Sequence, residues 1–377
     1  MTLSSLEQQA DHLAAQRDFA GAWATLIDLV AVEQDNFGAW LKLSAMAGAT
    51  GDRKAALAAL TSALKLQPVD FTALLMRATH LEALGRADEA GEAFGRALAN
   101  APDPAPAQMQ SMLAIATRKY AEWQTRQADR LRAAVQSVTP LTDKLDHLIT
   151  SSLHQTAPDR EGPTHYCYPG LPEIPFYRDA DFEWLAELEA FTDIIQSEFE
   201  AVVATEAAQL VPYIQYPEGV PVDQWAELNH NSNWTAIHLI QNGRMIDANT
   251  KHCPQTMALL EKLPQPQIKN AGPNAMFSLL APGAHIPPHT GISNARLVCH
   301  LPLIVPQGCW FRVADEKRLW QRGKAWVFDD TIEHEAMNPS DALRVILIVD
   351  IWHLALDAEE RRGIAAIIEV GGQLHGL

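Results

Sequence analysis

The sequence predicts an α+β, multidomain protein in which an N-terminal all-α repeat array precedes an antiparallel β domain of the sandwich or jelly roll type. Two observations predict this fold class. The first hundred residues repeat themselves with a period of 34 and are rich in alanine and leucine, which favour helices. The second half contains short apolar segments separated by proline, glycine, asparagine and aspartate, as in antiparallel sheets.

Composition and charge narrow the classes of function. The chain has 377 residues, of which 47% are hydrophobic, and this excludes wholesale disorder. With 29 basic and 46 acidic residues the formal net charge is −17, so no nucleic acid partner is expected. We find no apolar run of membrane-span length, no secretory signal and no disulfide-type cysteine spacing, so we expect a soluble, cytoplasmic protein.

The N-terminal third aligns with itself at a shift of 34 residues. Small residues recur where two helices would approach closely, and a proline recurs where the second helix of a unit would end. The pattern resembles tetratricopeptide repeats, whose helical hairpins offer a concave face to peptides or partner proteins. The alternative is an ordinary helical bundle with chance similarity. The matching sets are Ala22, Ala56 and Ala90; Gly51 and Gly85; and Pro68 and Pro102.

Three regions follow from these patterns. Residues 1–104 form the repeat array, and residues 105–160 contain capping helices and a linker. One or two capping helices are expected from Gln108 to about Leu153, and an extended proline-rich linker from His154 to Pro175. Residues 161–377 form the β domain, with an amphipathic helix around Phe182 to Val203 near its start.

The predicted strands lie in the last third of the chain. The segment Val345–Val349 is apolar on both alternating faces, which indicates a central strand covered on both sides. A Rossmann fingerprint and a serine-hydrolase elbow are both missing from the sequence. The candidate strands are Ala275–Leu280, Ala295–Pro302, Trp310–Val313, Ala325–Phe328 and Leu343–Trp352.

Two histidines and an arginine are the best candidates for chemistry. His289 lies in an extended segment because two prolines precede it, and Gly291 falls on the same face without a side chain. His334 begins a new strand, and Arg344 is expected one hairpin further along the sheet. Two neutral imidazoles suit a divalent metal such as iron(II), and an arginine suits a carboxylate. Taken singly, each histidine is more often a structural residue.

Four short motifs resemble the aspartyl/asparaginyl β-hydroxylase family. The resemblance covers roughly residues 175–356, and animal members of the family also carry tetratricopeptide-like repeats. It implies a double-stranded β-helix (jelly roll) oxygenase domain that uses iron(II), O₂ and 2-oxoglutarate to hydroxylate an unactivated C–H bond. The motifs are Pro288-His289-Thr290-Gly291, Asn294-Ala295-Arg296-Leu297 with His300, Phe328-Asp329-Asp330 with Glu333-His334-Glu335, and Arg344 with Val349-Asp350-Ile351-Trp352-His353.

The resemblance also assigns roles to single residues. It implies that His289 and His334 bind the iron, that Gly291 replaces the usual carboxylate ligand, and that Arg344 binds the tail carboxylate of 2-oxoglutarate. The chain departs from the animal enzymes at Val298, where they have a second arginine, and it offers no close cysteine pair. The further cofactor-binding or pocket residues that it implies are Trp234, Ser278, Arg296 and His300.

The sequence therefore predicts a 2-oxoglutarate-dependent dioxygenase that acts on the β-carbon of an Asp/Asn-type residue in a peptide or protein, which the repeats would hold. The alternatives are a hydroxylase of a small molecule or of a lipid-linked acyl chain, and a non-catalytic repeat-based binding protein.

Several residues near the candidate site have simpler interpretations. Asp329 and Asp330 are expected in a turn, His285 and His353 as structural histidines, and Glu333 and Glu335 pointing away from the site.

Overall fold

The computed structural model describes residues 3–155, 165–205, 210–216 and 225–375. The chain divides into two compact units, one formed by the residues up to Gln127 and the other by nearly all residues from Ala128 onward. Each unit is built around its own hydrophobic clusters. None of the described helices combines the length and the apolar character that a bilayer crossing requires.

The first unit begins with three helical hairpins in the same phase. The first helices of the hairpins start at residues 3, 37 and 71, and the second helices start at residues 19, 53 and 87, so both series have the predicted spacing. Ala22, Ala56 and Ala90 are buried, as close helix packing requires. The repeat array is confirmed, because a chance bundle would not keep this phase. The helices are α1 (Leu3–Ala15), α2 (Phe19–Val32), α3 (Phe37–Ala49), α4 (Arg53–Leu66), α5 (Phe71–Ala83) and α6 (Ala87–Ala99).

Side-chain caps explain where several of these helices begin. Asn36, Asp52 and Asp70 each accept a hydrogen bond, through a side-chain oxygen, from the backbone N–H three residues later. Such a cap satisfies one of the amides that the first turn of a helix leaves without a partner.

The region predicted to contain capping helices after the repeats has two more helices, α7 (Gln110–Gln136) and α8 (Asp143–Ser152). Part of the predicted linker, residues 156–164, and the predicted boundary at residue 160 lie outside the described residues.

The predicted helix over Phe182 to Val203 is two helices, so that prediction is wrong in part. Helix α9 (Leu185–Ala190) ends just before Phe191, whose backbone departs from helical geometry. Helix α10 (Thr192–Val203) begins at the residue after Phe191. The Thr192 hydroxyl donates a hydrogen bond to the carbonyl of Glu189 at 2.6 Å and so stabilises the break. The remaining helices are α11 (Asp247–Thr250), α12 (Pro254–Leu260) and α13 (Ala358–His375).

The β domain consists of two antiparallel sheets, which confirms the predicted jelly roll. The larger sheet has the order β1-β2-β4-β11-β6-β9, with β3 paired to β2, and the smaller sheet has the order β5-β10-β7-β8. The strands are β1 (Leu210–Pro212), β2 (Trp234–Gln241), β3 (Arg244–Met245), β4 (Ala275–Leu280), β5 (His285–His289), β6 (Arg296–Ile304), β7 (Trp310–Val313), β8 (Glu316–Leu319), β9 (Trp326–Phe328), β10 (His334–Met337) and β11 (Arg344–Trp352).

Strand β11 is central, as predicted, and it separates two hydrophobic clusters. It pairs with β4 on one side and β6 on the other, and all nine of its residues are buried. Val345 and Leu347 belong to the cluster that includes residues of α9, α10 and α12. Ile346 and Ile348 belong to the second cluster, which includes residues of the smaller sheet. Alternation places Arg344 on the same face as Ile346.

The prediction that Arg344 lies one hairpin beyond His334 along the same sheet is wrong. His334 is on β10 in the smaller sheet, whereas Arg344 is on β11 in the larger one. Asn338, in the connection, is fully buried, and its amide donates to the carbonyls of Leu280 and Ala342 at 3.0 and 2.8 Å. These hydrogen bonds direct the chain from one sheet to the other, so the two residues approach the space between the sheets from opposite walls.

Candidate functional site

His289 and His334 are direct cross-strand partners on β5 and β10. The centroids of their rings lie 4.1 Å apart. In each ring Nδ1 hydrogen bonds to the carbonyl oxygen two residues earlier, Pro287 at 2.8 Å and Ile332 at 2.9 Å. A carbonyl can only accept, so Nδ1 carries the proton and Nε2 keeps its lone pair. Both imidazoles therefore have the tautomer of a metal ligand that binds through Nε2.

Burial keeps these two rings neutral. It lowers the pKa of His289 to about 4 and the pKa of His334 well below its ordinary value, and in His334 the neighbouring His289 adds to the effect. A metal ligand must be the neutral imidazole, because the protonated ring has no lone pair to donate. The two donors thus fit a borderline divalent metal such as iron(II) at neutral pH.

A carboxylate, not a third ligand, fills the space beside Gly291. The Gly291 amide donates to the carbonyl of Asp330 at 2.7 Å. An ideal Cβ at Gly291 would lie 2.6 Å from Asp330 Oδ1 and closer still to the rest of that carboxylate. Within the described parts of the chain, histidine, cysteine, aspartate and glutamate form no group of three that could hold a metal ion.

Arg344 forms the opposite wall and is a buried cation with no counter-charge among the described residues. It is 1% exposed, and its Nη1 donates to the carbonyl and the hydroxyl of Ser278 at 3.2 and 3.3 Å. The Trp234 indole donates to the same hydroxyl at 3.0 Å. Arg344 Nε has no hydrogen-bond partner and no described carboxylate pairs with the guanidinium, whose pKa burial lowers to about 9. Such a group is prepared for an anionic ligand.

His300 and Arg296 both lie on β6 but have different surroundings. Burial, with the charge of Arg344, lowers the pKa of His300 well below its ordinary value, and its buried Nδ1 has no described partner. Arg296 donates to Asp330 at 2.8 Å and to Asp350 at 2.9 Å. Although burial opposes this, the two carboxylates together raise the pKa of the Arg296 guanidinium. Arg296 is therefore already paired on both sides.

All seven predicted site residues line one cavity of about 340 Å³. This volume lies at the lower end of the range for small-molecule sites. The two histidines belong to the smaller sheet, and Trp234, Ser278, Arg296, His300 and Arg344 belong to the larger one. The arrangement combines two metal-binding nitrogens with an anion-binding arginine in one buried space.

Comparison with known proteins agrees with this geometry. Residues 189–354 match the model of a family described as Aspartyl/Asparaginyl beta-hydroxylase. These residues belong to that family. The match includes both histidines, the arginine and the other predicted site residues, and the resemblance inferred from the motifs is confirmed.

Three curated relatives illustrate the breadth of this β-hydroxylase family. The human "Aspartyl/asparaginyl beta-hydroxylase" is 39% identical over 149 residues, which is 39% of this chain and 19% of the relative. The Xenopus tropicalis "Aspartate beta-hydroxylase domain-containing protein 2" is 33% identical, over 57% of this chain and 56% of the relative. The Rhizobium tropici "Ornithine lipid ester-linked acyl 2-hydroxylase" is 36% identical, over 48% of this chain and 62% of the relative. The chain thus covers less than two thirds of each.

Some residues of this site were not predicted from the sequence. The Tyr213 ring stacks on Trp234 with a centroid distance of 3.9 Å, and the Arg344 guanidinium lies 4.9 Å from the centroid of Trp320. Asp330 lies in a turn, as expected, but its carboxylate is also buried and ion-paired to Arg296, which the sequence did not predict. The only signal in the sequence was that two aspartates, Asp329 and Asp330, stand next to each other.

The other simple interpretations agree with the structure. The Asp329 carboxylate accepts a hydrogen bond from the Thr331 amide at 3.0 Å, as in a turn. His353 hydrogen bonds to the Tyr177 hydroxyl, and His285 to Glu335. Glu333 and Glu335 both bind Arg312 and do not line the cavity.

Proposed function

We propose that this protein is an iron(II)- and 2-oxoglutarate-dependent dioxygenase that hydroxylates an unactivated C–H bond. The observation that carries the proposal is that one cavity contains two neutral imidazoles with Nε2 available and a buried arginine that no described carboxylate neutralises. Membership of residues 189–354 in the β-hydroxylase family supports the same chemistry. A binding protein without catalysis would have no need for a buried cation, which destabilises the fold.

His289 and His334 would hold the iron. When bound, iron(II) with O₂ and 2-oxoglutarate supplies the oxidant for the C–H bond, and succinate and CO₂ are the co-products. The protein's part begins with the two carbonyl hydrogen bonds, which fix each ring and its tautomer before the metal binds. Because the donor set contains no carboxylate, we expect the affinity for iron to depend strongly on these two hydrogen bonds.

Arg344 would hold the far carboxylate of 2-oxoglutarate. The Ser278 hydroxyl, which accepts from Trp234 and from Arg344, would turn toward the same carboxylate. His300, whose Nδ1 lacks a partner, would donate to a cosubstrate oxygen. The aromatic rings of Phe311 and Phe328, with centroids 5.0 and 4.7 Å from the His300 ring, would exclude water from this end.

The first candidate substrate is an Asp/Asn-type residue of a peptide or protein, hydroxylated at its β-carbon. Two findings support it: the names of the human and Xenopus relatives, and the repeat array, whose architecture is suited to peptides. A second candidate is a lipid-linked acyl chain. The Rhizobium relative supports this candidate, as does Val298, which stands where the animal enzymes have a second arginine.

The test is anaerobic binding of iron(II) and 2-oxoglutarate, followed by turnover in air. We expect wild-type protein to bind both and to release succinate, and a cell lysate to contain products that have gained one oxygen atom. His334→Ala should lose iron-dependent succinate release. His285→Ala is the matched control, because His285 lies on β5 but does not line the cavity. Equal succinate release from wild type and His334→Ala would contradict the proposal.

A further inference from the structure

A second cavity adjoins the site on the side of Arg296. Its volume is about 170 Å³, and its walls come from the end of β11, the segment before β4, and helix α13. Most of the lining is hydrocarbon, for example Pro266, Ile268 and Ile368. Five residues line both cavities, so the two spaces are neighbours: Asn242, Asn274, Ile292, Arg296 and Asp350.

The charges between the two cavities disfavour a negatively charged occupant. Arg296 is the only cation that lines the second cavity among the described residues, and both Asp330 and Asp350 pair with it. Asp350 is also fixed by Asn274, whose backbone and side-chain N–H groups donate to it at 3.1 and 2.9 Å. A ligand carboxylate placed here would be repelled by the carboxylates of Asp330 and Asp350. The one guanidinium nearby, that of Arg296, is already paired with both of them. A neutral group would meet no such repulsion.

The second cavity also contains one unused hydrogen-bonding group. Tyr166 is 2% exposed, and its hydroxyl has no hydrogen-bond partner among the described residues. Burial raises the pKa of this phenol to about 12, so the hydroxyl stays a donor. Gly371 makes room for it, since an ideal Cβ there would lie 2.8 Å from the phenolic oxygen. A buried hydroxyl without a partner costs free energy unless a ligand supplies an acceptor.

We propose that this second cavity is a substrate subsite for an uncharged, mostly hydrocarbon group that presents one hydrogen-bond acceptor to Tyr166. The assignment of this occupant to the substrate rests on the proposed function. Within that function, the subsite favours a substrate that places an uncharged group in this second cavity over one that would place a carboxylate there. An ester, amide or ketone oxygen attached to a hydrocarbon chain has the required chemistry.

Two variants, Gly372→Leu and Tyr166→Phe, should change the second cavity and leave the rest of the protein unchanged. An ideal Cβ at Gly372 would meet no atom of the described residues within 4 Å, so Gly372→Leu should fill the second cavity without a clash. Leucine also favours the helix more than glycine does. Tyr166→Phe removes only the hydroxyl and should not destabilise the fold, because that group has no partner. Arg362→Leu is the matched control on an exposed position of the same helix.

The experiment measures the binding of hexan-2-one and of hexanoate to full-length protein by saturation-transfer NMR. We expect hexan-2-one to bind saturably to wild type and to Arg362→Leu, and about tenfold more tightly than hexanoate. Gly372→Leu should weaken binding of the ketone about tenfold, and Tyr166→Phe about fivefold, the contribution of one neutral hydrogen bond. Equal ketone affinity in wild type and Tyr166→Phe, or tighter binding of hexanoate, would overturn the subsite.

This measurement needs neither iron nor 2-oxoglutarate, so its failure is distinct from failure of the proposed function. Succinate release without added substrate, measured on the same variants, reports on the proposed function alone. We expect it to be unchanged in Arg362→Leu, the control outside the subsite. If Gly372→Leu does not fold, the comparison of wild type with Tyr166→Phe still decides.

Discussion

The carboxylate of Asp330 occupies the space that a side chain at Gly291 would need. Their backbones are joined by a hydrogen bond of 2.7 Å, and an ideal Cβ at Gly291 would lie 2.6 Å from Asp330 Oδ1. The lack of a carboxylate ligand at residue 291 is therefore built into the packing, because the neighbouring loop already supplies a carboxylate there. That carboxylate is held in place by Arg296 at 2.8 Å.

Gly291→Ala should consequently destabilise the protein. The new methyl group must displace Asp330 and weaken its ion pair with Arg296, at a cost of about 1–3 kcal/mol. Urea unfolding of the metal-free protein measures the change. The double variant Gly291→Ala with Asp330→Gly should recover part of the stability lost in the single variant, since it restores space. Wild-type stability of Gly291→Ala alone would show that Asp330 can move away freely.

Arg344→Met should change stability and cosubstrate binding in opposite directions. Methionine removes a buried cation without a counter-charge, so the free energy of unfolding of the protein without ligands should rise. The affinity for 2-oxoglutarate should fall by about 2–5 kcal/mol, since its carboxylate loses a charged partner. Thermal unfolding with and without 2-oxoglutarate measures both effects. Arg322→Met, which removes a surface ion pair with Asp193 and a hydrogen bond to Gln196, is the control.

Acid should destabilise the metal-free protein between about pH 6.5 and 4. Burial lowers the pKa of His238 and His289 to about 4, and the pKa values of His300 and His334 further. The unfolded chain takes up these protons first, so stability falls as the pH falls through this range. Burial raises the pKa of Asp330 to about 6 and that of Glu92 to about 7, and these two carboxyl groups act in the opposite direction but are outnumbered by the four imidazoles.

Urea unfolding at a series of pH values tests this expectation. His238→Gln should reduce the slope of stability against pH by about one proton, or about 1.4 kcal/mol per pH unit. A stability that is flat from pH 6.5 to 4 would contradict the burial of these imidazoles.

A groove in the repeat unit is where we expect a peptide substrate to bind. The groove has a volume of about 580 Å³, and its lining includes Met112 and Ile115, which are 41% and 51% exposed. Ile115→Asp should reduce the yield of oxygenated products in a lysate about tenfold, while succinate release without substrate stays unchanged. The control is Val69→Asp, at an exposed apolar residue outside the groove. Unchanged yields would show that the repeats do not hold the substrate.

The sequence predicted the fold, and residues that line one cavity, wherever a local pattern of residues carries the information. The strands Ala275–Leu280 and Trp310–Val313 have the predicted bounds, because alternation and turn residues mark them. The sheet that contains Arg344 was predicted wrongly, because a crossing between sheets depends on the distant hydrogen bonds of Asn338. The roles of Asp330 and Tyr166 depend on glycines elsewhere in the chain, and no local pattern reports such contacts.

The crystal structure of the anaerobic complex with iron(II) and 2-oxoglutarate tests the central claim most directly. We predict that the metal is bound by Nε2 of His289 and Nε2 of His334, with no third protein ligand, and that Arg344 binds the far carboxylate of 2-oxoglutarate. A metal bound directly by the Asp330 carboxylate, or 2-oxoglutarate bound away from Arg344, would contradict the account.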